Sequence, residues 1–251
     1  MLKKNNRTAV IIGGTKGIGL EITKLFLKQN FNVVVSARKI KDFNLKNKNL
    51  VKISGDFSKE NSHKELVTKT LKKFGSIDVY INNVGLSDWK PIDKVDHKFL
   101  NKMLLNNFFS AVWGCKQASK KMKPGSSIIN ISSIAGKRGS KNNSIYSSCK
   151  FAITGLTQSL AKELGYKGIR VNSICPVLIK TPGLIKALKN RYSPANKKID
   201  NFLKEFTVSN SALGKLPTGN DVAELCYFLS SSNSSSITGQ NINLDCGVFP
   251  Q

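Results

Sequence analysis

The sequence predicts an α/β chain built as a doubly wound, parallel seven-stranded sheet with helices on both faces. Two observations carry this. Short runs that are apolar through their length alternate with longer stretches of helical period. Strands buried on both faces read this way, because helices cover each side of a parallel sheet. A glycine cluster stands directly behind the first run, where a strand would turn into a helix.

The elements follow in order. Strands are expected at 9–12, 32–36, 50–54, 79–82, 127–131, 170–174 and 241–244. Helices are expected at 17–29, 60–74, 96–122, 146–165 and 219–230. The stretch K-I-K-D-F-N-L-K-N-K-N at 39–49 is too polar and short for a helix and reads as a loop or single turn. The Ser-rich patch at 230–236 reads as a loop before the last strand. Segment 183–210 is basic, contains Pro194 and reads as an irregular, mobile substrate flap. No repeat or linker divides the chain, so residues 1–251 are expected to form a single domain.

Composition narrows the function classes. Hydrophobic residues make up 40% of the chain, and no apolar run approaches the ~20 residues of a membrane span. The apolar run after the charged start is too short for a signal-peptide core, so a cytoplasmic location is expected. The five cysteines are scattered, C-x-x-C is absent, and His63 and His97 stand apart. The pattern indicates packed thiols, with neither a disulfide framework nor a metal site. Lys and Arg total 40 against 15 Asp and Glu, a net charge of +25. These cations are spread along the chain rather than gathered in one tract. Together with abundant Asn they match an AT-rich coding bias. An acidic partner is the main alternative, and nucleic acid comes third.

The first strand runs into G-G-T-K-G-I-G at 13–19. Glycine allows the tight turn and close approach of backbone to a pyrophosphate, and the next helix presents free N–H groups and its positive dipole end. Gly13, Thr15, Lys16, Gly17, Ile18 and Gly19 are therefore candidate dinucleotide-binding residues. The second strand ends V-V-V-S-A-R-K, with no acid to hold a ribose 2′-hydroxyl. Arg38 there and Lys16 in the loop favour a 2′-phosphate, hence NADP over NAD. Further along, Tyr146 and Lys150 stand at i and i+4, on one helix face. An ammonium beside a phenol favours the phenolate, so the Tyr pKa is expected below its ordinary value of about 10.

Taken together, these residues resemble the short-chain dehydrogenase/reductase family, a Rossmann-fold family. The likeness extends over almost the whole chain: Asp56 in S-G-D-F, N-N-V-G at 82–85, N-I-S-S-I-A-G at 130–136, R-V-N-S-I-C-P at 170–176 and T-G-Q-N-I-N-L-D-C-G at 238–247. It implies Ser133, Tyr146 and Lys150 as catalytic residues. For the catalytic Asn, Asn106 and Asn107 compete, and N-F-F-S-A-V favours Asn107. It also implies cofactor contacts at Asp56, Phe57, Asn83, Gly85, Tyr146, Lys150, Pro176, Val177, Ile179 and Thr181. Val84, Val177 and Cys246 depart from the family's Ala, Gly and Gly, and Ile12 from its Thr.

The implied reaction is reduction of a ketone or 3-oxoacyl group to a secondary alcohol, with NADPH giving the hydride and Tyr146 the proton. Ser133 would bond the substrate oxygen, Lys150 the nicotinamide ribose, and Asn107 a water linking Lys150 to solvent. The 3-oxoacyl-[acyl carrier protein] reductases share this length and layout, and their acidic carrier would suit a basic rim at Lys137, Arg138 and Lys167. Sugar, polyol and steroid dehydrogenases share the frame, and a non-catalytic NADP-sensing or nucleic-acid-binding protein is the remote alternative. The resemblance further implies a homotetramer assembled through helices 96–122 and 146–165, and no membrane partner.

Overall fold

The structure, a computed structural model, describes residues 6–196 and 198–250. Seven strands form one parallel sheet: β1 (Thr8–Ile12), β2 (Asn32–Ala37), β3 (Leu50–Ser54), β4 (Val79–Asn82), β5 (Ser127–Ile131), β6 (Arg170–Pro176) and β7 (Asn241–Leu244). Their order is β3-β2-β1-β4-β5-β6-β7. The chain therefore reverses direction across the sheet between β1 and β4, where a crevice opens beyond the strands' C-terminal ends.

Alternate side chains of each strand go to opposite faces. On one face Ile11, Val35, Ile81 and Ile129 pack with α1 (Gly17–Lys28) and α8 (Gly219–Ser230) through Ile22, Phe26, Val222 and Leu229. On the other, Val10, Val34, Tyr80 and Ile128 pack with α2 (Glu60–Phe74), α4 (Ser110–Ser119) and α5 (Ser144–Gly165) through Leu66, Cys115 and Leu164. Within this second layer His63 is fully buried. Its Nδ1 lies 2.8 Å from the Tyr80 hydroxyl and its Nε2 2.9 Å from the Phe57 carbonyl. A carbonyl only accepts, so Nε2 carries the proton and Nδ1 accepts from Tyr80.

Two expected elements differ in the structure. The helix expected at 96–122 is α3 (His97–Leu104), a π turn (Leu105–Phe109) and α4, ending at Ser119. Segment 183–210 is not irregular but holds α6 (Pro182–Leu188) and α7 (Ile199–Asn210). Leu188 and Leu203 from these helices close a small separate core around Trp89. Lysines dilute their apolar stripe in the sequence, and Pro194 falls in the turn between them. The 39–49 stretch contains no helix, as expected. All five cysteines are free thiols, four of them buried.

Candidate active site

The C-terminal ends of β1, β4, β5 and β6 bring the candidate residues to one crevice. Gly13 ends β1 with φ +78° and Gly17 opens α1 with φ +54°, backbone that side chains rarely adopt. A Cβ on Gly19 would lie 2.1 Å from the Gly13 carbonyl oxygen, and one on Gly14 would lie 2.7 Å from Val35. Gly14 is thus a fourth constrained glycine, marked in the sequence only by the G-G doublet. Asn83, at the end of β4, donates from Nδ2 to the Gly13 carbonyl at 3.0 Å and fixes the loop against the sheet. Lys16 stands at the N-cap of α1 without a side-chain cap, so the first-turn N–H groups face the crevice. Thr15 and Ile18 flank it, both part-buried, and Thr181 lies over Gly17, 3.4 Å from where its Cβ would be. This is a cradle built for backbone contact with an anion at a helix N-terminus, and it fits a dinucleotide pyrophosphate.

Arg38 follows β2 and is exposed, like Lys16. Asp56 accepts from the Ser58 hydroxyl at 2.8 Å and the Ser58 N–H at 3.2 Å. Burial works to raise its pKa, but these bonds and the nearby charges of Lys59 and Arg38 hold it below its ordinary value. At Phe57 any cofactor contact would fall to the backbone. Its ring is buried edge-on against His63 at 5.1 Å, so the side chain belongs to the core rather than to the crevice.

The catalytic candidates meet beside Gly85. Ser133 follows β5. Its hydroxyl is hydrogen-bonded to the Tyr146 phenol and accepts from the Ala135 N–H at 3.1 Å. Tyr146 and Lys150 lie one turn apart on α5, the amine 5.7 Å from the ring centroid. Lys150 is 4% exposed and donates from Nζ to the Ile131 carbonyl at 3.0 Å. Among the described residues no carboxylate pairs with it. Burial therefore lowers its pKa to about 8. The Tyr146 pKa moves opposite to the expectation. Desolvation pushes the phenol up to about 12, with the Ser133 bond pulling only partly back.

A Cβ on Gly85 would touch both the Lys150 amine, at 3.3 Å, and Asn107 Oδ1, at 3.1 Å. Asn107 is buried in the π turn, accepts from the Leu86 N–H at 2.9 Å and donates to the Met103 carbonyl at 3.0 Å. Asn106 bonds back to Lys102 on the exposed side. The extra residue of the π turn thus sends Asn107 inward, a common use of such bulges. Two positioning groups stand outside the sequence-based set. Ser132 donates to the Lys150 carbonyl at 3.1 Å, and a Cβ on Gly136 would lie 2.6 Å from that same oxygen.

On the remaining side, Pro176 ends β6 and its carbonyl lies 3.5 Å from the Ser133 hydroxyl. Val177 and Ile179 are buried as the chain leaves the sheet, and Thr181 caps α6 by accepting from the Leu184 N–H at 3.2 Å. One expected rim residue is elsewhere. Lys167 follows the far end of the 22-residue α5, about 30 Å from Tyr146 at 1.5 Å per residue, so it does not border this site.

A glycine cradle at the switch point of a doubly wound sheet, joined to a Ser–Tyr–Lys cluster, defines an NAD(P)-dependent oxidoreductase. The comparisons with known proteins place it further. A family model described as Enoyl-(Acyl carrier protein) reductase matches residues 13–249. Diacetyl reductase [(S)-acetoin forming] of Staphylococcus epidermidis is 33% identical over 258 residues, covering 97% of this chain and 98% of that protein. A short-chain dehydrogenase/reductase of Brucella melitensis, described as a glucose/ribitol dehydrogenase, superposes with a TM-score of 0.88 at 27% identity, covering 98% of each chain. The structure of ElxO with NADP bound superposes with a TM-score of 0.85 at 30% identity, covering 98% of this chain and all of that one. The chain belongs to the short-chain dehydrogenase/reductase family. Against that family's pattern, Cys246 holds φ +55° where glycine is usual, and Val84 packs under Gly13.

Proposed function

We propose that this enzyme reduces a small ketone to a secondary alcohol with NADPH, with Tyr146 as general acid. The carrying observation is the Ser133–Tyr146 hydrogen bond beside a buried Lys150 that has no carboxylate partner among the described residues. Bound reduced nicotinamide supplies the hydride. Tyr146, a phenol neutral at pH 7, holds the proton to be given to the carbonyl oxygen. Ser133 presents its hydroxyl to the same oxygen as charge develops there. Lys150 has further N–H donors for the nicotinamide ribose and a charge that steadies the phenolate left behind. Asn107, beside Lys150 at Gly85, is the station assigned to the water that returns the proton. Arg38 and Lys16 are assigned to the 2′-phosphate, a reading supported by the NADP-bound relative. Pro176, Val177, Ile179 and Thr181 are assigned to the nicotinamide side, and α6 with α7 to the cover over the substrate.

The likeness to a diacetyl reductase favours a vicinal dicarbonyl as substrate. A second reading, a 3-oxoacyl group on an acidic carrier, draws on the +25 charge. NADPH consumption on diacetyl, acetoacetyl thioester free and carrier-linked, and a panel of keto sugars separates them. Turnover favouring diacetyl supports the first reading, and a preference for the carrier-linked thioester replaces it with the second. Part-exposed Leu105, Phe109 and Phe151 on the outer faces of the π turn and α5 support assembly into a homotetramer. A monomer in sedimentation would end that assignment.

A further inference from the structure

The lysines that are scattered along the sequence are gathered by the fold at the sheet edge opposite the active site. Three loops lie side by side there, at the N-terminal ends of the adjacent strands β4, β5 and β6. Ser126 Oγ donates to the Ile77 carbonyl, and the Gly125 N–H to the Gly168 carbonyl at 2.8 Å, binding the loops into one rim. The rim carries Lys72 and Lys73 from the last turn of α2 before the first loop, Lys120, Lys121 and Lys123 from the second loop, and Lys167 from the third, all exposed. Of the nearby carboxylates, Asp78 is taken up by the Thr8 N–H at 2.7 Å and the Ser76 hydroxyl at 3.0 Å, and Glu60, which faces Lys120, is paired with Lys116 at 2.8 Å. Glu163, on the last turn of α5, is the nearest other acid in the third loop's approach. Cations at helix ends complement the dipole, which accounts for Lys72 and Lys73 but not for Lys121, Lys123 and Lys167 beyond the helices.

Among these lysines stands Tyr166, 82% exposed, with the Lys167 amine 5.5 Å from its ring centroid. A flat aromatic ring offered to solvent inside a cationic field is the pairing that binds single-stranded nucleic acid, phosphates on the amines and a base on the ring. We infer that this rim, Lys72, Lys73, Lys120, Lys121, Lys123 and Lys167 around Tyr166, binds single-stranded nucleic acid without sequence preference. Apart from Tyr166, no large apolar side chain is exposed on these loops. A membrane-inserting surface or the apolar centre of a protein interface would need one.

The test measures fluorescence anisotropy of a labelled 20-nucleotide oligo(dT) with the full chain at 50 and 200 mM salt. About four phosphate contacts would weaken binding roughly fiftyfold over that range, at about −0.7 in log–log slope per contact. The triple variant Lys121→Glu, Lys123→Glu, Lys167→Glu should abolish binding. Lys98→Glu, Lys186→Glu, Lys215→Glu, with the same change in net charge, should retain most of it. Tyr166→Ala should weaken binding about tenfold with the salt slope unchanged. NADPH-dependent ketone reduction by the rim variant should match that of the parent, so loss of binding is read apart from loss of folding. Equal losses from the two triple variants, no binding at 50 mM salt, or tighter binding to phosphatidylglycerol vesicles or polyglutamate than to oligo(dT) would each overturn the inference.

Discussion

The two ends of the sheet handle positive charge in opposite ways. At the C-terminal end Lys150 is sunk to 4% exposure with a carbonyl for company, and its surroundings displace its pKa. At the N-terminal end lysines crowd together but stay in water, where each retains its hydration. A buried cation without a counter-charge is costly to keep, which ties such a residue to a function. Solvated lysines cost little individually, and only their convergence in space carries meaning.

The largest effect should come from the buried end. Tyr146→Phe removes the proton donor but leaves the Lys150 amine and glycine cradle in place. The kcat for ketone reduction should fall by at least about a thousandfold while NADPH binding, followed by fluorescence titration, stays within about twofold. Near-normal turnover would break the assignment of the buried end to catalysis. Next comes Gly19→Ala. Its Cβ would meet backbone at 2.1 Å and the Asn83 amide at 2.5 Å, so the loop must shift. NADPH affinity should fall more than tenfold, with an overpacking cost of about 1–3 kcal/mol in denaturant unfolding. Unchanged affinity would show that the cradle is not where the cofactor sits.

Arg38→Ala sharpens the comparison from the solvated side. Arg38 is exposed, so its removal should leave stability unchanged and act through the ligand alone. The KM for NADPH should rise about tenfold or more and the KM for NADH little. Equal effects on both would refute the assignment to the 2′-phosphate.

What could be read in the sequence follows the same division. The alternation of strands and helices and the glycine loop were legible because each is a contiguous phrase whose local chemistry demands its own shape, whereas Ser133 stands apart from Tyr146 and Lys150 in the chain, and the three were singled out together only through the family resemblance. The π turn was not legible, since nothing in L-N-N-F-F signals an extra residue; the phrase N-F-F-S-A-V favoured Asn107, and the packing gives the reason, with Asn107 inward and Asn106 outward. The flap helices were missed because lysines interrupt their apolar stripe, which closes only against Trp89. Lys167 was misplaced because sequence distance from Tyr146 hides a helix that carries it to the other end of the molecule. The expected direction of the Tyr146 pKa differs because i, i+4 spacing reveals the neighbouring ammonium but not the desolvation that pushes the phenol up.

The smallest effect separates burial from function. His63 is as deeply buried as Lys150 but lies on the core-facing side of α2, where Tyr80 and Phe57 satisfy both ring nitrogens of the neutral form. Burial depresses its pKa from 6.5 to about 4, although the Phe57 bond and the Glu60 charge work to raise it. Between those values the unfolded chain holds a proton that the folded chain refuses. The stability is therefore fully present above pH 6.5 and is lost as pH falls through 4, by about 3 kcal/mol in all. Urea unfolding at pH 7 and pH 4.5 should show most of this loss. His63→Gln keeps a donor and an acceptor but cannot titrate, so it should lose less over the same interval while its ketone reduction at pH 7 is unaltered. An identical acid loss in that variant would place the acid sensitivity in the carboxylates. Reduced turnover at pH 7 in a stably folded variant would mean that the buried histidine, too, serves the site.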